Sequence, residues 1–148
     1  MSKNKNKQIK SDKNIVISSK EPKRIENPES YFDKSPSWSF SKCDLESDKW
    51  ALDSSDFFAD IMPKLVSFER RKWKDIIDDN KHNHWISCDD FCKAAQQRLI
   101  ELKLYYDELF SLRLTGRVRL FGYIENGVYY IVWYDHDHEI CPSVKKHT

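Results

Sequence analysis

The alternation of apolar and polar residues near the end of the chain predicts a β-hairpin in the run LFGYIENGVYYIVWYD. The run turns at Asn126-Gly127, a pair favoured in two-residue type I′ turns because both positions need a positive φ. Pairing Glu125 with Val128 on either side of that turn sets the register of the ladder. The expected cross-strand pairs are Ile124 with Tyr129, Phe121 with Val132, Leu120 with Trp133, Arg119 with Tyr134 and Arg117 with His136.

This register predicts one apolar face and one mixed face, because side chains alternate between the two faces of a sheet. The apolar face, expected to meet the core, carries Leu120, Gly122, Ile124, Tyr129, Ile131 and Trp133. The mixed face carries Arg117, Arg119, Phe121, Tyr123, Tyr130, Val132, Tyr134 and His136. An RNA-binding or RNA-cleaving surface needs such side chains, since arginines hold phosphates, rings stack on unpaired bases and histidine transfers protons near neutral pH. The solvent-facing side of an antiparallel sheet is also expected to be polar, so a purely structural role stays open.

Upstream of the hairpin, the spacing of apolar residues predicts two or three helices. Residues 54–68 carry an apolar stripe at helical spacing, and Pro63 either belongs to the first turn of a later helix or kinks the helix at Met62. A shorter helix is expected over residues 69–78. A third is expected over residues 89–102, opened by Ser87 and Asp90 as a capping box. The residues expected to face the core are Phe57, Phe58, Ile61, Met62, Leu65, Phe68, Trp73, Ile76, Ile77, Phe91, Ala95, Leu99 and Leu102.

The remaining segments complete a small sheet. Trp38-Ser39-Phe40 alternates like a short strand, whereas residues 78–87 are interpreted as a polar loop. Strands near residues 109–114, 117–125 and 128–135 form a β-meander. The predicted fold is therefore α+β, with two or three helices packed on one face of a small antiparallel sheet.

The composition divides the chain into a tail and one domain. With 148 residues, of which 39% are hydrophobic and 14% aromatic, the chain can bury one core but is short for two. Residues 1–30 begin with the Lys/Asn-rich run MSKNKNKQIKSDK and are expected to be a disordered basic tail. That tail either solubilises the protein or acts as an RNA-binding arm. Residues 31–148 are expected to form a single α+β domain.

Charge is distributed unevenly along the chain, although the net charge is only +1. Residues 1–30 carry eight Lys/Arg and four Asp/Glu, which leaves 17 basic and 20 acidic residues for positions 31–148. The predicted domain is thus slightly acidic. A nucleic-acid role would rest on a local basic patch together with the tail.

Several function classes are disfavoured by what the sequence lacks. Its three glycines, Gly116, Gly122 and Gly127, all lie in the predicted meander, so a glycine-rich loop for a nucleotide cofactor is not expected. No apolar run approaches the roughly 20 residues of a membrane span, and no signal segment is visible. A cytoplasmic protein without a membrane partner is therefore expected. The four cysteines, at positions 43, 88, 92 and 141, follow no zinc-site spacing and are expected to be reduced thiols.

The segment Asp135-His136-Asp137-His138 places two imidazoles two residues apart, as metal ligands often are. Asp and His are also common where a strand ends in a turn. Because no third ligand follows at an interpretable spacing, we interpret the segment as a turn. Neither a metal site nor any other cofactor is expected.

Several runs of this chain carry a resemblance to known proteins. They are SPSWSFSKCD, KLVSFERRKW, KAAQQRLIELKL and the final LFSLRLTGRVRLFGYIENGVYYIVWYDHDHEICPSVKKHT. Together these runs resemble a family of small, largely uncharacterised bacterial proteins found in mycoplasmas and Gram-positive bacteria, and the resemblance covers nearly all of the predicted domain. More remotely, helices followed by an arginine-bearing β-meander are similar to the RelE/YoeB/ParE superfamily of toxin components.

The superfamily resemblance implies a RelE-like fold and the toxin of a toxin-antitoxin system, which cuts mRNA without a metal, often on the ribosome, and is neutralised by an antitoxin protein. The chemistry is attack of a ribose 2′-OH on the adjacent phosphate. The catalytic residues implied are Arg117, Arg119, Tyr134 and His136. The RNA-binding residues implied are Arg113, Phe121, Tyr123 and Tyr130. The alternative is a non-catalytic module whose mixed face binds RNA or a protein partner.

Overall fold

The computed structural model describes residues 25–52 and 55–142, which form an α+β fold around a five-stranded sheet. Its strands are β1 (Ser37–Ser39), β2 (His84–Ser87), β3 (Glu108–Thr115), β4 (Val118–Glu125) and β5 (Val128–Asp135). They lie in the order β1-β5-β4-β3-β2. The predicted meander and the short strand near Trp38 are confirmed. The sheet is mixed, however, because β1 lies parallel to β5 while every other pair is antiparallel.

Strand β2 lies where a polar loop was predicted, so that prediction is wrong for the second half of residues 78–87. Trp85 pairs with Phe110, and Ile86 pairs with Leu109. A strand of four residues is too short for its alternation to stand out from a polar segment. Pairing with β3, and not the local pattern, makes this segment extended.

The predicted turn between β4 and β5 is confirmed and is held from outside the hairpin. Asn126 and Gly127 have φ values of +54° and +82°, as a type I′ turn requires. The Trp73 Nε1 donates a hydrogen bond of 2.7 Å to the Gly127 carbonyl, and Lys34 Nζ donates one of 2.8 Å to Asn126 Oδ1. Segments distant in sequence therefore fix this end of the sheet.

A β-bulge changes the register of β4 and β5 beyond Gly122. The expected pairing holds from Glu125–Val128 to Gly122–Ile131, after which Val132 is an extra residue. The observed pairs are then Phe121 with Trp133, Leu120 with Tyr134 and Arg119 with Asp135. The expected pairs of Leu120 with Trp133, Phe121 with Val132 and Arg119 with Tyr134 are therefore wrong.

Three helices cover the sheet: α1 (Met62–Glu69), α2 (Trp73–Asp78) and α3 (Lys93–Glu101). A π-helical turn, Phe57–Ile61, leads directly into α1, whose first turn holds Pro63. Proline is tolerated there because the first backbone N–H groups of a helix need no internal partner. The Ser87 side chain accepts from the Asp89 N–H and caps a 3-10 turn, so α3 begins later than predicted.

The helices pack on both faces of the sheet, which corrects the prediction that they lie on one. The first core lies beneath α1 and α2, and the second core lies beneath α3. Buried residues of the first core include Leu65, Phe68, Trp73, Ile76, Leu112, Leu120, Tyr129, Ile131 and Tyr134. Buried residues of the second core include Phe91, Ala95, Leu99, Leu109, Phe121, Tyr123, Val132, Trp133 and Ile140.

An ion pair joins α3 to the segment after β1 at the second core. Asp44, which is 2% exposed, accepts hydrogen bonds of 2.7 Å from both Nε and Nη2 of Arg98, and one of 2.9 Å from Trp133 Nε1. Burial alone would raise the pKa of Asp44, but the hydrogen bonds from Arg98 and Trp133 hold it below its usual range. The Asp44 N–H also donates to the Val132 carbonyl at the bulge.

Residues 1–24 of the predicted tail lie outside the described residues. The structure describes residues 25–30 of that segment, where Glu26 accepts a hydrogen bond from the Asn126 N–H. A 3-10 turn, Pro28–Tyr31, follows and is capped by the Asn27 side chain. Within the described ranges, no helix is long and apolar enough to cross a membrane. The four cysteines are free thiols and partly buried.

Candidate functional site

Arginines of the predicted functional face gather at one end of the sheet, where β3 turns into β4 through Gly116. Arg113 on β3 pairs with Arg119 on β4, and Arg119 pairs with Asp135 on β5. Because directly paired residues share a face, two guanidinium groups and one carboxylate form a row across three strands. Two like charges placed side by side in a sheet are unfavourable unless other groups compensate them.

The Gly116 carbonyl supplies part of that compensation. It accepts a hydrogen bond from Arg113 Nε and another from Arg119 Nη1, both of 2.8 Å. Burial and the neighbouring Arg113 lower the pKa of Arg119, although Asp135 acts in the opposite direction. The row therefore keeps an excess of positive charge, which a bound anion would offset.

One carboxylate, Asp135, cannot balance two guanidinium groups, and its oxygens are hydrogen-bonded to the backbone of the next loop. It is 1% exposed, and its two oxygens accept hydrogen bonds of 2.9 Å from the N–H groups of Glu139 and Ile140. These bonds close the turn that the sequence predicted over this segment. The turn brings His138, at a φ of +61°, beside Arg119.

A shallow cavity of about 350 Å³ is lined by Arg117, Arg119, Asp137, His138 and Pro142. We call this cavity the basic pocket. Burial and the nearby Arg119 lower the pKa of His138 below its ordinary value of 6.5, so the imidazole is mainly neutral at pH 7. Two guanidinium groups can hold an anion here, and a neutral imidazole can accept a proton.

Tyr134, predicted as catalytic, lies away from the basic pocket. The bulge pairs it with Leu120, so its ring packs in the first core, on the face of the sheet opposite Arg119. Burial and the nearby carboxylates of Asp56 and Asp60 raise the pKa of Tyr134 to about 12. The expectation that Tyr134 shares a face with Arg119 is therefore wrong.

His136, also predicted as catalytic, lies in the turn beyond β5 and does not pair with Arg117. Its side chain is exposed, and its Nδ1 lies 3.0 Å from Asp137 Oδ1. Its ring centroid lies 6.1 Å from that of Tyr134. The imidazole that meets the arginines belongs to His138, which the sequence indicated only as a turn residue.

The predicted RNA-binding residues divide by burial. Phe121 and Tyr123 are buried, and the Phe121 ring packs edge-on against Phe91 at 5.5 Å between centroids. Arg113 and Tyr130 are half-buried and accessible to solvent. The aromatic face is thus mostly covered by α3 and the residues before it.

Tyr123 and Tyr130 belong to a stack of three rings that we call the tyrosine ladder, whose third member is Tyr106. Ring centroids of Tyr106 and Tyr123 lie 4.4 Å apart, and those of Tyr123 and Tyr130 lie 5.0 Å apart. The Tyr123 and Tyr130 rings are parallel to within 8°. The Tyr106 hydroxyl donates a hydrogen bond of 2.9 Å to Glu125 Oε2. Sequence reasoning missed Tyr106, which precedes β3 and follows no alternation.

A cavity of about 580 Å³, which we call the tyrosine cleft, opens along the ladder. Residues 41–43 form one wall and residues 102–104 form another, and these walls include Lys42 and Lys103. Both lysines are exposed. The cleft thus combines stacked rings with a cationic rim.

Neither a metal site nor similarity to known proteins helps to assign a role to the basic pocket and the tyrosine cleft. In residues 25–52 and 55–142, no three His, Cys, Asp or Glu side chains are grouped as a metal site would need. No family model, curated protein or solved structure matches this chain. The two cavities are therefore interpreted from their own residues.

Proposed function

We propose that this protein binds RNA and that the basic pocket receives one backbone phosphate. The supporting observation is that Arg117, Arg119 and His138 share one cavity, where two guanidinium groups outweigh the one lining carboxylate, that of Asp137. A guanidinium has five N–H donors in a planar fork that matches a phosphate. Among the described residues, Arg119 uses only Nη1 in hydrogen bonds, so its other N–H groups can serve a ligand.

RNA is favoured over a small anion because aromatic side chains accompany the arginines. Residues 119 and 123 project to the same face of β4, since they are an even number of positions apart. The tyrosine ladder therefore lies on the same face as the basic pocket, about 13 Å further along the strand. Proteins hold single-stranded RNA by combining phosphate contacts with base stacking.

The test is binding of a 12-nucleotide single-stranded RNA, measured by fluorescence anisotropy at several salt concentrations. We expect the double variant Arg117→Ala/Arg119→Ala to bind roughly tenfold more weakly than the wild type. Its slope of log affinity against log salt should fall by about 0.7 for each phosphate that the variant no longer neutralises. Arg70→Ala is the matched control, because Arg70 is an exposed arginine beyond α1.

The proposal fails if the double variant and Arg70→Ala bind the RNA equally well with the same salt slope. It also fails if the wild type shows no RNA binding at low salt, where electrostatic attraction is strongest. Circular dichroism of each variant shows whether the fold is retained.

A second candidate, cleavage of that RNA, is favoured by the neutral state of His138. A neutral imidazole can take the proton of a ribose 2′-OH while that oxygen bonds to phosphorus and the bond to the 5′-oxygen breaks. The leaving 5′-oxygen takes a proton from water. Arg117 and Arg119 would stabilise the charge on the phosphate oxygens. This is the chemistry of a RelE-like toxin, whose antitoxin would cover the basic pocket.

Cleavage is tested by inducible expression in a bacterial host, comparing the wild type with Arg119→Ala and His138→Ala. A ribonuclease toxin should arrest growth and create new RNA 5′ ends, and both variants should abolish these effects. Normal growth with unchanged RNA ends, from soluble folded protein, would leave RNA binding without cleavage.

A further inference from the structure

We infer that the tyrosine cleft holds one unpaired nucleobase, stacked on Tyr130 as the fourth ring of the tyrosine ladder. This inference rests on the proposed RNA binding, and it assigns a base site to accompany the phosphate site.

The register of the sheet places a small residue where a fourth ring would stand. Ser39 on β1 is directly opposite Tyr130 on β5. The preceding pair, Trp38 and Tyr129, faces the first core with ring centroids 5.8 Å apart, so Ser39 and Tyr130 point to the other face. Among the described residues, Tyr130 has one ring contact, with Tyr123. Serine is too small to cover the outer face of the Tyr130 ring.

The space and its lining suit a planar ring with polar edges. The two ladder steps of 4.4 and 5.0 Å, with interplanar angles of 24° and 8°, show that rings stack face to face on this surface. Ser39 Oγ lies 2.9 Å from Ser41 Oγ, so two hydroxyls stand beside the position of the fourth ring. Hydroxyl groups can donate to or accept from the edge of any base. Such a site would hold a base with little preference for its identity.

The charge around the cleft favours a nucleotide over a cationic ligand. Lys42 and Lys103 stand on its two walls and would attract the phosphates that flank the base. The carboxylate of Glu125 also lines the cleft, but it accepts the hydrogen bond of Tyr106. A ligand cation would have to enter between two lysines and compete for that carboxylate.

The experiment fills the position of the fourth ring with a side chain. Ser39→Tyr adds that ring from the protein itself, and Ser35→Tyr makes the same change at an exposed site before β1. Each protein is titrated with a 12-nucleotide oligoadenylate RNA and with an abasic RNA of equal length. The wild type should bind oligoadenylate roughly 5- to 100-fold more tightly than the abasic RNA, the range expected for stacking of one base. Ser39→Tyr should lose that difference, whereas Ser35→Tyr should keep it.

Two further arms separate failure of the base site from failure of RNA binding. If the wild type binds both RNAs equally, the base site is wrong while RNA binding stands. Adenosine alone, followed by NMR contacts to the Tyr130 ring, tests the base site without any phosphate. Contacts in the wild type that vanish in Ser39→Tyr support the base site even if the RNAs do not bind, and their absence overturns it. Tyr130→Leu repeats the test if Ser39→Tyr does not fold.

Discussion

The basic pocket and the tyrosine cleft lie on the same face of β4, but different forces build them. At the basic pocket, Arg119 lies beside Arg113 in the sheet, and the Gly116 carbonyl accepts hydrogen bonds from both like-charged side chains. In the tyrosine cleft, rings stack at regular spacing and Ser39 leaves room for one more. A ligand would therefore bind the basic pocket through its charge and the tyrosine cleft through its shape. The β-bulge at Gly122 lies between the two.

The largest effect is expected when the bulge itself is disturbed, because it sets the register of Arg119 and Asp135 beside the basic pocket. A Cβ at Gly122 would collide with the backbone carbonyl of Tyr130. That carbonyl cannot move without disrupting the pairing of β5 with its neighbouring strands. Gly122→Ala should lower the free energy of unfolding by about 3 kcal/mol, measured by urea denaturation.

Gly116→Ala is the matched control for that substitution. A Cβ there meets no atom within 4 Å, so only its φ of +50° is unfavourable, at a cost of about 1 kcal/mol. Equal losses of stability in the two variants would show that the bulge does not require glycine.

A smaller effect is expected from pH, which should change RNA binding at the basic pocket but not at the tyrosine cleft. A phosphate in the pocket favours protonated His138, whose pKa in the folded protein is lowered by burial and by Arg119. Affinity for abasic RNA should therefore rise as the pH falls from about 7.5 to about 5.5, by less than about tenfold per pH unit because one proton is taken up. His138→Asn should remove that rise, and His136→Asn, at an exposed position, should keep it.

The ratio of affinities for oligoadenylate and abasic RNA should stay constant over the same pH range, because stacking involves no proton. The same depressed pKa acts against folding, since the unfolded chain binds the proton more readily as the pH falls through 6.5. A pH dependence retained in full by His138→Asn would contradict the assignment of His138 to the pocket.

The smallest effect concerns the rim of the tyrosine cleft. Lys103 follows α3 with a φ of +59°, a conformation that glycine adopts more easily. Lys103→Gly should raise the free energy of unfolding by up to about 1 kcal/mol and weaken RNA binding by less than about threefold. Lys103→Ala should weaken binding equally without that gain in stability. If Lys103→Gly is less stable than the wild type, the strain assigned to this residue is absent.

The sequence predicted the local parts of this structure well. Asn126-Gly127 determined the turn and the pairing as far as Gly122, because a type I′ turn and alternating residues act over short distances. Leu99, Trp73 and most other expected core residues are buried for the same reason, but Phe58 and Met62 are exposed, so the prediction is wrong for those two.

The basic pocket was predicted less well because the register beside it depends on one extra residue in β5. Alternation cannot reveal that Val132 is unpaired, since both Trp133 and Tyr134 are large aromatic residues that suit either core. The resulting change of register places Tyr134 on the face of the sheet opposite Arg119. The approach of His138 depends on hydrogen bonds from a loop backbone to Asp135, which leave no periodic signal.

The ion pair of Asp44 with Arg98 has a consequence for how a ligand would enter the tyrosine cleft. Asp44 directly follows the wall of residues 41–43, and Arg98 lies in the helix that ends at the wall of residues 102–104. The ion pair therefore connects the two segments that carry these walls. Because these walls are already joined, ligand binding would not have to immobilise them. Little of the binding free energy would then be lost as conformational entropy.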